Sequence, residues 1–267
     1  MNPLRVSILQ TDIDWEDKQA NLRRLREKLE NLRGTTEIAV LPETFSTGFS
    51  MQAAHLAESD EGETIRTLRN WAVHYGIALT GSYIASENNN GTPTVKPCHN
   101  RAFFLTPEGD AYFCDKRHLF RMGHEDEHFT PGQQRLVFNY RGWNILLLVC
   151  YDLRFPVWSR NVNNEYDLLI YVANWPTARR HAWDILLQAR ALENVCYVCG
   201  VNRIGTDGHN IAHNGGSVVL SPKATVLASV PDGQEAIATA TLDLDYLKDF
   251  RKKFPTWKDA DRFLLNP

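Results

Sequence analysis

Apolar and polar positions fall in short alternating blocks along the chain. Apolar, β-branched runs recur at 5–9, 37–41, 77–84, 101–105, 144–150, 168–173, 196–201, 217–220 and 236–242. Several are apolar for most of their length, the pattern of strands covered on both faces. Between them the period changes. Leu22, Leu25, Leu29 and Leu32 recur at spacings of three and four after an acidic start at 14–17, which predicts an amphipathic helix. Ile65, Leu68 and Trp71 repeat the stripe over 62–75, with Gly76 placed as its C-cap. A third helical pattern covers 182–193. Strands alternating with helices predict the α/β class.

Two segments, RAFFLTPEGDAYFC and SVVLSPKATVLAS, share the outline strand, proline-containing turn, strand. They lie in opposite halves of the chain and predict two similar halves packed together. No Ser/Gly linker or charge block cuts 1–267 into independent domains. The tail, 250–267, is charged with spaced aromatics and is expected to dock on the body or on a partner subunit.

Composition narrows the function classes. With 267 residues, 43% hydrophobic and 23% charged, the chain can bury a large core. A net charge of -3 argues against a nucleic-acid surface or a polybasic membrane patch. The opening MNPLRVSILQTDID has no basic region followed by a long apolar run, so no signal peptide is expected. The longest apolar run, 145–150, is too short to span a bilayer. Five cysteines, an odd number without dense spacing, fit a reducing cytoplasm.

The candidate chemistry sits where apolar runs turn polar. LLLVCYDLRFP at 146–156 hands over a thiol, Cys150, at a strand end. EIAVLPETF does the same with Glu43, and AYFCDKRHLF with Lys116. In open α/β architectures catalytic side chains collect beyond the carboxyl ends of strands. A free thiol has a pKa near ~8.5 and needs a base or a positive field to attack at neutral pH. Glu43 can take the thiol proton and return it to a leaving amine. Lys116 can favour the thiolate and hold the oxyanion of a tetrahedral intermediate. The backbone N–H of Tyr151 is the expected second oxyanion donor, on a helix starting near Phe155-Pro156. Asp152 is expected to point away or to pair with a base. Each residue alone has a bland reading, a core thiol and two solvated charges. Their joint placement carries the chemistry.

Together LPETF, DKRHLF and VCYDLRFP resemble the glutamate, lysine and cysteine motifs of the nitrilase (carbon–nitrogen hydrolase) superfamily. The likeness covers nearly the whole chain, and YVANWP at 171–176 and RALEN at 190–194 also match family segments. DKRHLFRM with CYDLRFPVWSRN most resembles the bacterial omega-amidase-like branch. The resemblance implies a four-layer α-β-β-α sandwich in a single domain, commonly a homodimer. It implies Glu43 as base, Lys116 as oxyanion stabiliser, Cys150 as nucleophile, and a second glutamate at Glu125 or Glu127. It implies a small amide substrate, a thioester intermediate, and no metal or organic cofactor. Related enzymes acting on carboxylate-bearing substrates have an arginine where Arg154 stands, and a guanidinium suits a carboxylate. The expected substrate is therefore an ω-amide of a dicarboxylic acid such as 2-oxoglutaramate or 2-oxosuccinamate. Trp175 and Phe45 are expected to line the pocket.

Rival readings have weaker support. Cys114, His118, His124 and His128 are ligand types zinc accepts, but their spacing matches no closed zinc motif. The C-x-x-C at 196–199 lies in a strand pattern that puts its thiols on opposite faces. No G-x-S-x-G elbow or Walker loop is present. A nitrilase or carbamoyl-amide hydrolase would use the same three residues. A catalytically silent scaffold has no need of all three.

Overall fold

The computed structural model describes residues 3–86 and 97–261. A first sheet contains β1 (Leu4–Gln10), β2 (Ile38–Val40), β3 (Ala78–Ser86), β4 (Cys98–Leu105) and β5 (Ala111–Asp115). A second contains β6 (Val137–Tyr140), β7 (Trp143–Val149), β8 (Leu168–Ala173) and β9 (Tyr197–Asn202). After β9 comes a separate hairpin, β10 (Ile204–Thr206) with β11 (Ala212–Asn214). Then β12 (Val218–Leu220) and β13 (Val226–Ser229) join the second sheet, and β14 (Ala236–Leu242) returns to the first. The orders are β14-β1-β2-β3-β4-β5 and β6-β7-β8-β9-β12-β13.

Read in those orders, both sheets make one antiparallel, two parallel and two antiparallel pairings. The two predicted hairpins, β4–β5 and β12–β13, occupy equivalent edges, so the two-half expectation holds. The parallel pairs need crossovers. Helix α1 (Lys18–Leu32) joins β1 to β2. After the single turn α2 (Ala53–Leu56), α3 (Glu63–Tyr75) leads into β3. The one-turn α4 (Glu125–His128) lies between β5 and β6, α5 (Arg180–Asn194) joins β8 to β9, and α6 (Leu244–Lys253) follows β14.

The layers follow from the residue pattern. Leu4, Val6 and Ile8 of β1 share one core with Leu146 and Leu148 of β7, between the sheets. Leu9, Leu41 and Phe103 face outward, against Leu22, Leu25, Leu29 and Leu32 of α1 and Ile65 and Leu68 of α3. Each buried leucine contributes about 2 kcal/mol, more than helix propensity supplies. Asp17 caps α1 by accepting from Ala20 N, and Gly76, at φ 68°, ends α3. On the other side, α5 sits so close to β9 that a Cβ on Gly200 would meet Leu187 at 2.5 Å. The order is helix, sheet, sheet, helix.

Arg251 of α6 donates to Asp167, Val195 O and Tyr166 O at 2.7, 2.9 and 2.7 Å, which ties the helix to the second sheet. A turn at Thr256–Asp259 then lies near Val162–Asn164. Residues 262–267 of the predicted tail lie outside the described residues. No helix among the described residues is long and apolar enough to cross a membrane.

Candidate active site

Three chain segments leave strand ends and converge. After β2, Thr44 adopts φ 42°, and its N–H donates to Ser82 Oγ at 2.8 Å, which turns the chain at Glu43. After β5, Lys116 N–H still donates to Asn100 O, and Lys116 O accepts from Gly132 N–H, so the lysine is held from both sides. After β7, Cys150 opens a 3₁₀ turn, Cys150–Arg154, at φ 45°. Such backbone costs about 1–3 kcal/mol for a non-glycine and persists only where its surroundings fix it. Asp152 does the fixing. Its Oδ2 accepts from Val149 N at 3.1 Å, and its Oδ1 accepts from His118 N at 3.0 Å and lies 2.8 Å from His118 Nδ1. Its charge therefore faces His118, paired as expected. The helix expected near Phe155-Pro156 is absent; the 3₁₀ turn ends before Phe155, whose proline neighbour disfavours helical backbone.

The side chains meet in a buried ion cluster. Lys116 Nζ lies 2.9 Å from Glu43 Oε1 and 2.9 Å from Glu125 Oε2. Asn100 Nδ2 donates to Glu43 Oε1 at 2.7 Å and to Glu125 Oε1 at 3.2 Å. Glu43 Oε2 accepts from Asn174 N at 2.8 Å, and Asn174 Nδ2 donates to the Glu43 carbonyl at 2.6 Å. Glu125 Oε2 accepts from Phe120 N at 2.6 Å. The geometry separates the two glutamates: Glu125 reaches Lys116, whereas Glu127 is exposed and pairs with His124 at 2.8 Å.

One ammonium between two carboxylates sets the electrostatics. Burial works against the Lys116 charge, but Glu125 and Glu43 outweigh it and raise its pKa, so it stays protonated. Burial pushes the Glu125 carboxyl up, opposed by Lys116. Burial also pushes the Cys150 thiol well above its ordinary range; Glu43 adds to that shift and Lys116 opposes it. Glu43 and Cys150 thus face one cavity, with the carboxylate disfavouring the thiolate.

Glu43, Lys116, Cys150, Tyr151, Arg154 and Trp175 all line one cavity of ≈ 390 Å³. Phe45 does not. The turn at Thr44 carries it into the outer core, edge-on to Phe103 at 5.9 Å. The histidines weighed as metal ligands diverge: His118 stacks on Phe155 at 3.7 Å, while His124 faces Glu127. No three His, Cys, Asp or Glu side chains among the described residues are placed to hold a metal ion. Cys196 and Cys199 are buried free thiols.

Sequence reasoning passed over several residues of the site. Asn100 and Asn174 are buried polar groups in otherwise apolar strand contexts, a signal that was available in NRAFFL and YVANWP. Arg179 lines the cavity, as do Asp207, His209, Ile211 and His213, alternate residues of the β10–β11 hairpin. Burial and the Arg203 charge lower the His213 pKa to about 4, so its ring is neutral at pH 7.

A carbon–nitrogen hydrolase profile matches residues 5–252, almost the whole described fold. The chain belongs to the carbon–nitrogen hydrolase family. Within it, the chain is 44% identical to the omega-amidase YafV of Yersinia enterocolitica, over 99% of this chain and 100% of that one. It is 28% identical to the 2-oxoglutaramate amidase of Bacillus subtilis, over 97% and 98%. Among solved structures, XC1258 from Xanthomonas campestris superposes with a TM-score of 0.94 at 38% identity, over 100% of both chains. That structure is described as a CN-hydrolase superfamily protein with an arsenic adduct in the active site. The four-layer carbon–nitrogen hydrolase fold expected from the motifs is thus the fold observed.

Proposed function

We propose that this amidase cleaves the terminal amide of a small dicarboxylic acid ω-amide, of the 2-oxoglutaramate or 2-oxosuccinamate kind, through a thioester on Cys150. The observation that carries the chemistry is the buried contact of Glu43 with Lys116 beside the Cys150 thiol. Glu43 accepts the thiol proton as sulfur attacks the amide carbon. Lys116 and the Tyr151 N–H hold the oxyanion, each donor worth about 3 kcal/mol in the transition state. Glu43 returns the proton to nitrogen, the C–N bond breaks, and ammonia leaves. A water then gives a proton to Glu43 and attacks the thioester. The C–S bond breaks, the acid departs, and the proton returns to sulfur. Glu125 braces Lys116 and keeps its ammonium aimed at the oxyanion. No metal or organic cofactor has a part in these steps.

The acid end of the substrate is assigned to Arg154, with Trp175 as a wall. Arg154 lines the cavity and has no carboxylate partner among the described residues. Named relatives include an omega-amidase and a 2-oxoglutaramate amidase, which favours amides over nitriles and carbamoyl compounds. In the same reading, 1–267 acts as one domain, in the cytoplasm, as a homodimer or higher homo-oligomer; Ile185 and Leu192 on α5 are exposed apolar residues available to an interface. Ammonia release from 2-oxoglutaramate, succinamate, a nitrile and a carboxylate-free amide tests the substrate class. The ω-amides should exceed the carboxylate-free amide at least about tenfold in kcat/KM. Equal rates would remove the basis for an anion pocket.

A further inference from the structure

Two guanidinium groups face the cavity, and the reading above uses one. Arg154 Cζ stands 5.1 Å from the Trp175 ring centroid. Arg179 Cζ stands 4.9 Å from the Phe120 ring centroid. The Trp175 indole N–H also donates to the Arg179 backbone carbonyl at 2.8 Å, and both arginines line the same cavity. Neither has a carboxylate within ion-pairing distance among the described residues. The contrast with the adjacent Arg180 is direct: its guanidinium pairs with Asp184 at 2.7 Å and Asp232 at 2.8 Å. Seating a guanidinium on an aromatic face fixes its position without neutralising it, and leaves its N–H edge free to donate.

The charge balance shows why a second cation matters. The reacting end holds Glu43, Glu125 and Lys116, and Asp207 also lines the cavity, so carboxyl groups outnumber the one ammonium there. A single arginine would attract any carboxylate. Amides of α-amino acids also carry a carboxylate, but with an α-ammonium beside it. A second guanidinium in the same cavity repels that ammonium, whereas an α-keto oxygen accepts its hydrogen bond. Discrimination of this kind comes from a repulsive contact as much as from an attractive one.

We infer that Arg179 is a specificity-determining residue: with Arg154 it forms a two-cation subsite that accepts the α-keto carboxylate of the substrate and rejects the α-ammonium of glutamine-like amides. The inference rests on the ω-amide reading of the site. It concerns the α-carbon of the substrate and leaves the chemistry at Cys150 unchanged.

The test compares wild type, Arg179→Gln and Arg154→Gln on 2-oxoglutaramate, L-glutamine and a carboxylate-free aliphatic amide, with ammonia as readout. Arg179→Gln should lower kcat/KM for the keto substrate about tenfold or more and raise that for glutamine, so that the ratio between them collapses. Its rate on the carboxylate-free amide reports a folded site with intact chemistry. Arg154→Gln should weaken both carboxylate substrates together. Separately, the Cys150→Ala protein should bind 2-oxoglutarate more tightly than L-glutamate in calorimetry, and that preference should vanish when Arg179→Gln is added. An unchanged keto-to-amino ratio in Arg179→Gln, with wild type active on ω-amides, overturns this inference alone. A wild type inactive on every ω-amide overturns the substrate assignment and this inference together.

Discussion

Glu43 plays against itself at the residue level. The charge proposed to accept the thiol proton also disfavours the thiolate. Replacing it by glutamine separates the two effects. Glu43→Gln should lower amide turnover by roughly 10²–10⁴-fold through loss of the base. Yet the pH midpoint of Cys150 alkylation by iodoacetamide should move down, because a neighbouring negative charge no longer disfavours thiolate. In wild type that midpoint should lie above the usual thiol value of ~8.5. A midpoint that stays put or rises in the variant would mean that Glu43 does not face the sulfur. Lys116 poses the complementary case. Lys116→Met removes the ammonium between Glu43 and Glu125 and should cost about 3–5 kcal/mol at neutral pH. The sign with pH follows from Glu125, whose carboxyl burial already raises. Without the opposing ammonium the folded-state value rises further. The variant then keeps its stability below the ordinary carboxylate range and loses it as pH climbs through the raised value. Urea unfolding at pH 5 and pH 8 should show the larger deficit at pH 8.

Between elements, the decisive contact is Asp152, which binds the turn after β7 to the loop after β5. Its carboxylate accepts from Val149 N on one side and from His118 N on the other. Asp152→Ala leaves those donors without their acceptor and frees the left-handed backbone at Cys150. Stability should fall by about 2–4 kcal/mol and kcat at least about tenfold, with Asp152→Asn recovering part of both. Wild-type kcat in Asp152→Ala would show that Cys150 is held by other means. This level also marks the reach of the sequence. Glu43, Lys116 and Cys150 were visible because each stands where an apolar strand stops, a one-dimensional signal. Asn100 and Asn174 were not singled out, since their value depends on which strand ends become neighbours. Phe45 went astray for a related reason: one left-handed residue, Thr44, decides which side of the sheet the ring takes. The β10–β11 hairpin has strands too short to leave a period.

At the scale of the whole molecule, the site is a product of the duplicated sheet plan. Strands β2 and β8 occupy the same place in the two sheets, each flanked by parallel neighbours. Glu43 follows the first and Asn174 follows the second, so equivalent strand ends meet across the halves. Their three hydrogen-bonding groups interlock: Asn174 N holds the Glu43 carboxylate, and Asn174 Nδ2 holds the Glu43 carbonyl and Thr44 Oγ1. The half that carries Cys150 thus also aims, through Asn174, the proposed base that the other half supplies. Asn174→Ala keeps the backbone contact and removes the side-chain ones. The buried Glu43 carbonyl then lacks its donor, at a cost of about 1–3 kcal/mol in stability. Because the lost contacts position Glu43 and leave the acid end alone, kcat should fall about 10–100-fold while KM stays within about twofold. A rise in KM with kcat intact would instead place the Asn174 amide against the substrate. The halves would then meet at the base through the Asn174 backbone alone.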